Sequence, residues 1–361
     1  MNKNSKNVSI ISSLHRPYHS PLWVARWVCE YISMFCENIK THDEYVKGFY
    51  FFFIYRLNAL YDTCVVAQLE YISKETIEKV CDYFDAIEQY KRNEILDRIM
   101  HSKNRSDIEK NIYSTYKAAT YAINLATEKL GFVENYRLTN AGKLLHLYKT
   151  PTNRMSPLNR HVYLGQILEK DFFFFVPLCL LIQKQKTYHN LKELIFAYIK
   201  RYHPVSRFDY TSTSSGNYVR VRVLWIKQLL VLTNKYNISS VLKNNILKTN
   251  LQDEYQLIQS ELKEFLKIVL DSQKKKDKYD SFLSIYKKMV DKTDGSGFVN
   301  LYDIMKELRL SYVTFNKLLM DFYHDNKRNM NVFFVNIIAT RDTRKRFYIN
   351  NKPVFKIKIS E

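Results

Sequence analysis

Apolar residues along this chain recur mostly at intervals of three and four, the spacing of one helix face. From Pro21 onward Trp23, Trp27, Val28 and Tyr31 follow it, and Phe53, Leu57, Leu60 and Tyr61 repeat it. Ser73 stands where an N-cap belongs, ahead of a helix rich in Glu and Lys that reaches about Tyr90. Residues 1–20 are polar and read as loose. Residues 1–95 are therefore expected to form a helical N-terminal domain whose aromatic side chains fill a core rather than stack on bases.

The pattern changes over 96–150. A helix is expected from about Asp107 to Leu130, ended by Gly131 as a left-handed C-cap. A short strand follows, then a tight turn at Glu134–Asn135, a strand Tyr136–Leu138 and a helix capped by Thr139. Residues 151–270 form a second helical block. Ser156 caps a helix through Ile167, and Leu191–Tyr202 is another. The apolar run Phe172–Ile182 carries Pro177 and reads as buried core. Residues 208–217 read as a loop. Val219-Arg-Val-Arg222 then leads into Leu224, Trp225, Leu229 and Leu232, with the outline of a decayed helix-turn-helix. Asp253 to Val269 is an amphipathic helix, and Lys274-Lys-Lys-Asp-Lys278 reads as a solvated linker.

In the last segment, 271–361, a helix is expected over Ser281–Met289 and a short strand at Gly297-Phe-Val299. A second helix, Leu301–Leu310, presents Ile304 and Leu308 on one face. After the turn Arg309-Leu-Ser311, Ser311 caps a helix Tyr312–Tyr323 whose Val313, Phe315, Leu318, Leu319 and Phe322 are expected to pack inward. Two strands follow, Asn331–Ile338 and Arg346–Ile349 continuing into Val354–Ile359. Between them lies the basic tip Thr340-Arg-Asp-Thr-Arg-Lys-Arg346.

This order of helix, strand, helix, helix and basic hairpin resembles the winged helix-turn-helix superfamily over residues 280–361. A weaker resemblance covers 96–150, where Arg137-Leu-Thr139 and Gly142 open a helix after a short hairpin. The superfamily has no invariant motif, so the resemblance rests on element order and the placement of charge. It implies a recognition helix in the major groove and a wing along the backbone or in the minor groove. The implied recognition-helix contacts are Tyr312, Thr314, Asn316 and Lys317, and the implied wing contacts are Arg341, Arg344, Lys345 and Arg346. Asn suits adenine, and Lys suits guanine or a phosphate.

Charge points the same way. The 361 residues carry 56 Lys and Arg against 36 Asp and Glu, a net of +20. Residues 271–361 alone hold 19 against 11, a surplus of eight. That balance favours a polyanionic partner. The seven glycines never cluster into a phosphate-cradling loop, which argues against a P-loop ATPase or a dinucleotide enzyme. The five cysteines include no C-x-x-C pair, as expected of a reducing compartment without a zinc site. With neither a signal peptide nor an apolar run long enough to span a bilayer, a cytoplasmic protein is expected, nucleoid-associated if prokaryotic, with no membrane partner.

Three patterns imitate chemistry. Residues 292–303 look like a calcium loop, but Lys292 puts a cation where the first carboxylate belongs. His15 and His19 are separated by Pro17. Glu261-Leu-Lys263 matches half of a nuclease pattern but sits on an amphipathic helix. No cofactor, metal or catalytic residue is expected. The reading is thus a mainly α fold with small β-wings, a helical N-terminal region plus two or three winged-helix-like modules, acting as a non-catalytic double-stranded DNA-binding protein. A regulator, a replication initiator and a target-recognition subunit of a mobile-element or defence complex all fit. The alternatives are a protein-binding adaptor built on winged helices, with protein partners in a larger complex, and a nuclease whose site the sequence does not reveal.

Overall fold

The computed structural model describes residues 10–14, 18–19, 21–61, 72–148, 155–185, 190–204, 215–291, 295–336 and 347–360. The chain divides into two compact units, Met1–Leu262 and Lys263–Glu361. The first holds α1 (Trp23–Phe35), α2 (His42–Leu60), α3 (Lys74–Asp85), α4 (Arg92–His101), α5 (Asp107–Asn124), β1 (Val133–Glu134), β2 (Arg137–Leu138), α6 (Asn140–Leu147), α7 (Pro157–Gln185), α8 (Leu191–Tyr202), α9 (Ser215–Gln228) and α10 (Ser240–Lys248). The division falls inside α11 (Gln252–Val290). The second unit continues with β3 (Val299–Asn300), α12 (Leu301–Glu307), α13 (Tyr312–Asn326), β4 (Asn331–Val335), β5 (Phe347–Ile349), β6 (Lys352–Val354) and β7 (Lys356–Ser360). The fold is mainly helical with small antiparallel sheets, as the spacing predicts. No described helix is long and apolar enough to cross a membrane.

Local signals place the helices. Thr41 and Ser106 close capping boxes with Glu44 and Glu109, and Ser73 accepts from the Thr76 N–H. The helix that Ser73 starts ends at Asp85, short of Tyr90. Trp27, Tyr45, Phe49, Tyr50 and Phe53 are all buried, so the N-terminal aromatics are core. The stretch 96–150 shares that core: α5 packs against α1, α2, α3 and α4 and buries Ile112, Ala118, Ala119 and Ala122. A π-helical turn, Leu125–Lys129, extends it to Gly131 at φ 64°.

The hairpin that follows turns at Asn135–Tyr136, one residue later than its sequence suggests, and these two residues have φ of 48° and 57°. Paired left-handed residues are what a two-residue hairpin needs to match strand twist. Thr139 caps α6, and Gly142 lies so close to the Phe132 carbonyl that no side chain fits there.

Three further expectations need correction. The polar N-terminal stretch is not loose throughout, because Ile11 and Leu14 are buried. The Ile11 N–H donates to Asp171 Oδ1 at 2.9 Å, and its carbonyl accepts from Arg222 Nη2 at 2.7 Å. Helix α7 does not end at Ile167. It runs to Gln185 across a kink at Asp171, whose φ is −141°, and its second half buries the Phe172–Ile182 run. The 274–278 linker is helical, since no Gly or Pro interrupts α11 and Lys is a good helix former. Of the expected loop 208–217, residues 208–214 lie outside the described residues and Ser215–Asn217 open α9.

Glu261 has a structural role. Its Oε2 accepts from the Tyr198 hydroxyl at 2.7 Å and lies 2.9 Å from His203 Nε2, so the half-pattern with Lys263 marks a buried hydrogen-bond cluster.

Candidate nucleic-acid interface

The second unit is organised around one apolar cluster. Phe282 from α11, Leu301 and Ile304 from α12, and Phe315, Leu319 and Phe322 from α13 meet Phe347 and Ile357 from the strands. The strands β3, β7 and β4 form an antiparallel sheet in that order, with Val299 and Phe334 both opposite Ile357.

The second expected strand is not continuous from 346 to 359. The chain reverses at Asn350–Asn351, with φ of 50° and 62°, and β5 pairs back on β6 with Phe347 opposite Val354. Two adjacent Asn residues tolerate the left-handed turn that this reversal requires. Apolar positions on both sides of them resemble one continuous strand.

Helix α13 starts at Ser311, whose Oγ accepts from the Thr314 N–H at 3.3 Å. Phe315, Leu318, Leu319 and Phe322 are buried as expected. Val313 is not; it is 77% exposed, because its helical phase puts it opposite that apolar stripe. Tyr312 stacks on Phe347 at 5.1 Å with 18° between the rings. Asn316 Oδ1 accepts from the Tyr348 backbone N–H at 2.8 Å. Both side chains therefore seat the β5–β6 hairpin on the helix, while Thr314 and Lys317 are exposed. The wing candidates Arg341, Arg344, Lys345 and Arg346 lie outside the described residues.

The structure adds a feature that the sequence analysis missed. Lys274, Lys275, Lys278 and Tyr279 of α11, with Thr314 and Lys317 of α13, line a groove of about 410 Å³. Lys274 and Lys278 are one helical turn apart and so share a face. Lys275 is neutralised: its Nζ lies 2.6 Å from Asp325 Oδ2, which also accepts from the Tyr279 hydroxyl at 2.8 Å. The bonds from Lys275 and Tyr279 hold the Asp325 carboxyl below the usual carboxylate range. Burial, and then donation to Asp325, push the Tyr279 hydroxyl up.

Lys274, Lys278 and Lys317 make no ion pair among the described residues, although Asp271 and Asp321 also border the groove. Like charges gathered in one groove repel, and a bound anion relieves that repulsion. The signal that could have found them is the i, i+4 repeat of Lys274 and Lys278 on a helix that no Gly or Pro interrupts.

Compared with protein-family models, with curated proteins and with solved structures, the chain matches none.

Proposed function

We propose that the second unit is a winged helix-turn-helix domain that binds double-stranded DNA without catalysis. In this reading Lys274, Lys278 and Lys317 contact phosphates, and the exposed side of α13, with Thr314 and Lys317, faces the duplex. The observation that carries it is the convergence on one groove bordered by α13 of three lysines that make no ion pair among the described residues. The domain reading is supported by the order β3, α12, α13, β4, β7, with the last strand paired between the other two, and by the tight α12–α13 turn through Arg309 at φ 53°. The net charge of +20 supports a polyanionic ligand. Tyr312 and Asn316 then hold the hairpin in place rather than reading bases. A regulator, a replication initiator and a target-recognition subunit all share this requirement for duplex contact.

The adaptor reading rests on the exposed Val313 and on Tyr348, which is 43% exposed, since apolar side chains there suit a protein surface. One titration separates the two. A labelled duplex is added to the wild type and to the Lys274→Ala/Lys278→Ala/Lys317→Ala variant at several salt concentrations. The wild type binds at about 50 mM salt, and each lost phosphate contact flattens the slope of log K against log salt by about 0.9. A triple variant that melts and binds as the wild type does, or a wild type that binds no duplex at low salt, sinks the DNA reading and favours the adaptor.

A further inference from the structure

We infer that Lys275 and Tyr279 form an additional anion subsite in the groove, filled by the chain's own Asp325 carboxylate, which a DNA phosphate displaces. This rests on the reading of the groove as a duplex-binding surface.

Two donors one helical turn apart converge on a single oxygen: Lys275 Nζ at 2.6 Å and the Tyr279 hydroxyl at 2.8 Å from Asp325 Oδ2. An ammonium and a hydroxyl aimed at one anionic oxygen can serve a phosphate oxygen as well as a carboxylate. The Tyr279 ring is fixed edge-on against Phe322 at 5.3 Å, so its hydroxyl is positioned before any ligand arrives. Preorganised donors lower the ordering cost of binding.

Asp325 is a weak occupant. It lies in the last turn of α13, where the helix dipole disfavours a negative charge. The Lys275 and Asp325 side chains are 43% and 45% exposed, so solvent screens their attraction. Both donors line the same groove as Lys274, Lys278 and Lys317, so a backbone that engages those three passes the subsite. Asp325 thereby restrains binding: Lys275 adds to the grip only after the carboxylate swings away.

The test compares Asp325→Asn with Asp321→Asn in the full chain. Both variants remove one negative charge from this region, but only the first releases Lys275. With the same labelled duplex and salt series, Asp325→Asn is expected to bind roughly three- to tenfold tighter near 100 mM salt, with a slope steeper by about 0.9, the signature of one more phosphate contact. Asp321→Asn is expected to keep the wild-type slope.

Equal effects of the two variants show a general charge effect and overturn the subsite, as does an Asp325→Asn variant that binds no better than wild type. Either result leaves the DNA reading standing if the wild type binds. If the wild type binds at about 50 mM salt but only Asp325→Asn still binds near 100 mM, the subsite holds and the carboxylate weakens the groove's grip. If neither binds at about 50 mM salt, the subsite and the DNA reading fall together.

Discussion

Arg222 clasps Asp171 through two hydrogen bonds of 2.6 Å in a fully buried ion pair. The same two side chains hold both backbone groups of Ile11, and the guanidinium lies over the Phe174 ring at 3.8 Å. Burying two charges is costly, and the attraction offsets that cost only while every partner is present. Arg222→Met should therefore lower the stability of the first unit by about 3–5 kcal/mol, because it leaves a buried carboxylate unpaired. Arg222→Met with Asp171→Leu should recover much of the loss. Urea midpoints for the two proteins decide the matter, and a double variant no more stable than the single one refutes the account.

Asn316 gives a second prediction. Its carboxamide oxygen receives the Tyr348 N–H, so Asn316→Ala should cost about 1 kcal/mol of stability in the second unit. Duplex affinity should fall to the same degree on every sequence, and Asn316→Asp, which keeps an acceptor, should restore stability. A loss confined to one preferred duplex would return Asn316 to base reading.

The thiols provide a third. Burial pushes the Cys29 and Cys179 thiols well up and the Cys81 thiol up to about 12. Cys36 is half-buried. Because burial both shields the other three thiols and disfavours their thiolates, iodoacetamide at pH 8 should spare Cys29, Cys81 and Cys179 until denaturant is added and label the more accessible Cys36 before them. Peptide mapping of the native protein reads this directly. Early labelling of Cys179 would mean that the second half of α7 opens.

Tyr55 supplies a pH dependence. Its hydroxyl donates to Asp85 at 2.6 Å and accepts from Arg92 at 3.0 Å. Burial, and then the bond to Asp85, push it up to about 12. The folded state thus holds the proton more tightly than the unfolded chain does. The stability this contributes is complete below the ordinary tyrosine value near 10 and is lost as pH rises towards 12. The stability gap between wild type and Tyr55→Phe should stay constant from pH 7 to 9 and shrink above pH 10. A gap that widens there contradicts the sign.

The features readable in advance were local ones. Helix α8 spans Leu191–Tyr202, the ends its spacing implies, and Ser73, Thr139 and Ser311 cap as expected because an N-cap bond closes within three residues. The features that escaped depend on distant partners or on phase. Ile11 and Leu14 are buried although they lie in a polar stretch, and the partners of Ile11, Asp171 and Arg222, stand far along the chain. Asn350–Asn351 resembles strand until the reversal is seen to return β6 onto β5. In the candidate interface, Thr314 and Lys317 followed from element order. Lys274 and Lys278 did not, because treating a charge run as linker discards the helical phase that aligns them. The hairpin roles of Tyr312 and Asn316 depend on a cross-element contact that spacing does not encode.

The clasp on Ile11 has a consequence for biosynthesis. Its partners Asp171 and Arg222 lie 160 and 211 residues further along the chain. At roughly 5–20 residues per second, the interval before Arg222 is made lasts on the order of 10 to 40 seconds. Until then the Ile11 carbonyl lacks its donor, and Asp171, once made, has no cation. Closure of the first unit must wait until α9 has cleared the ribosome, so a nascent chain arrested short of Arg222 exposes α7 to chaperones, proteases and other unfinished copies.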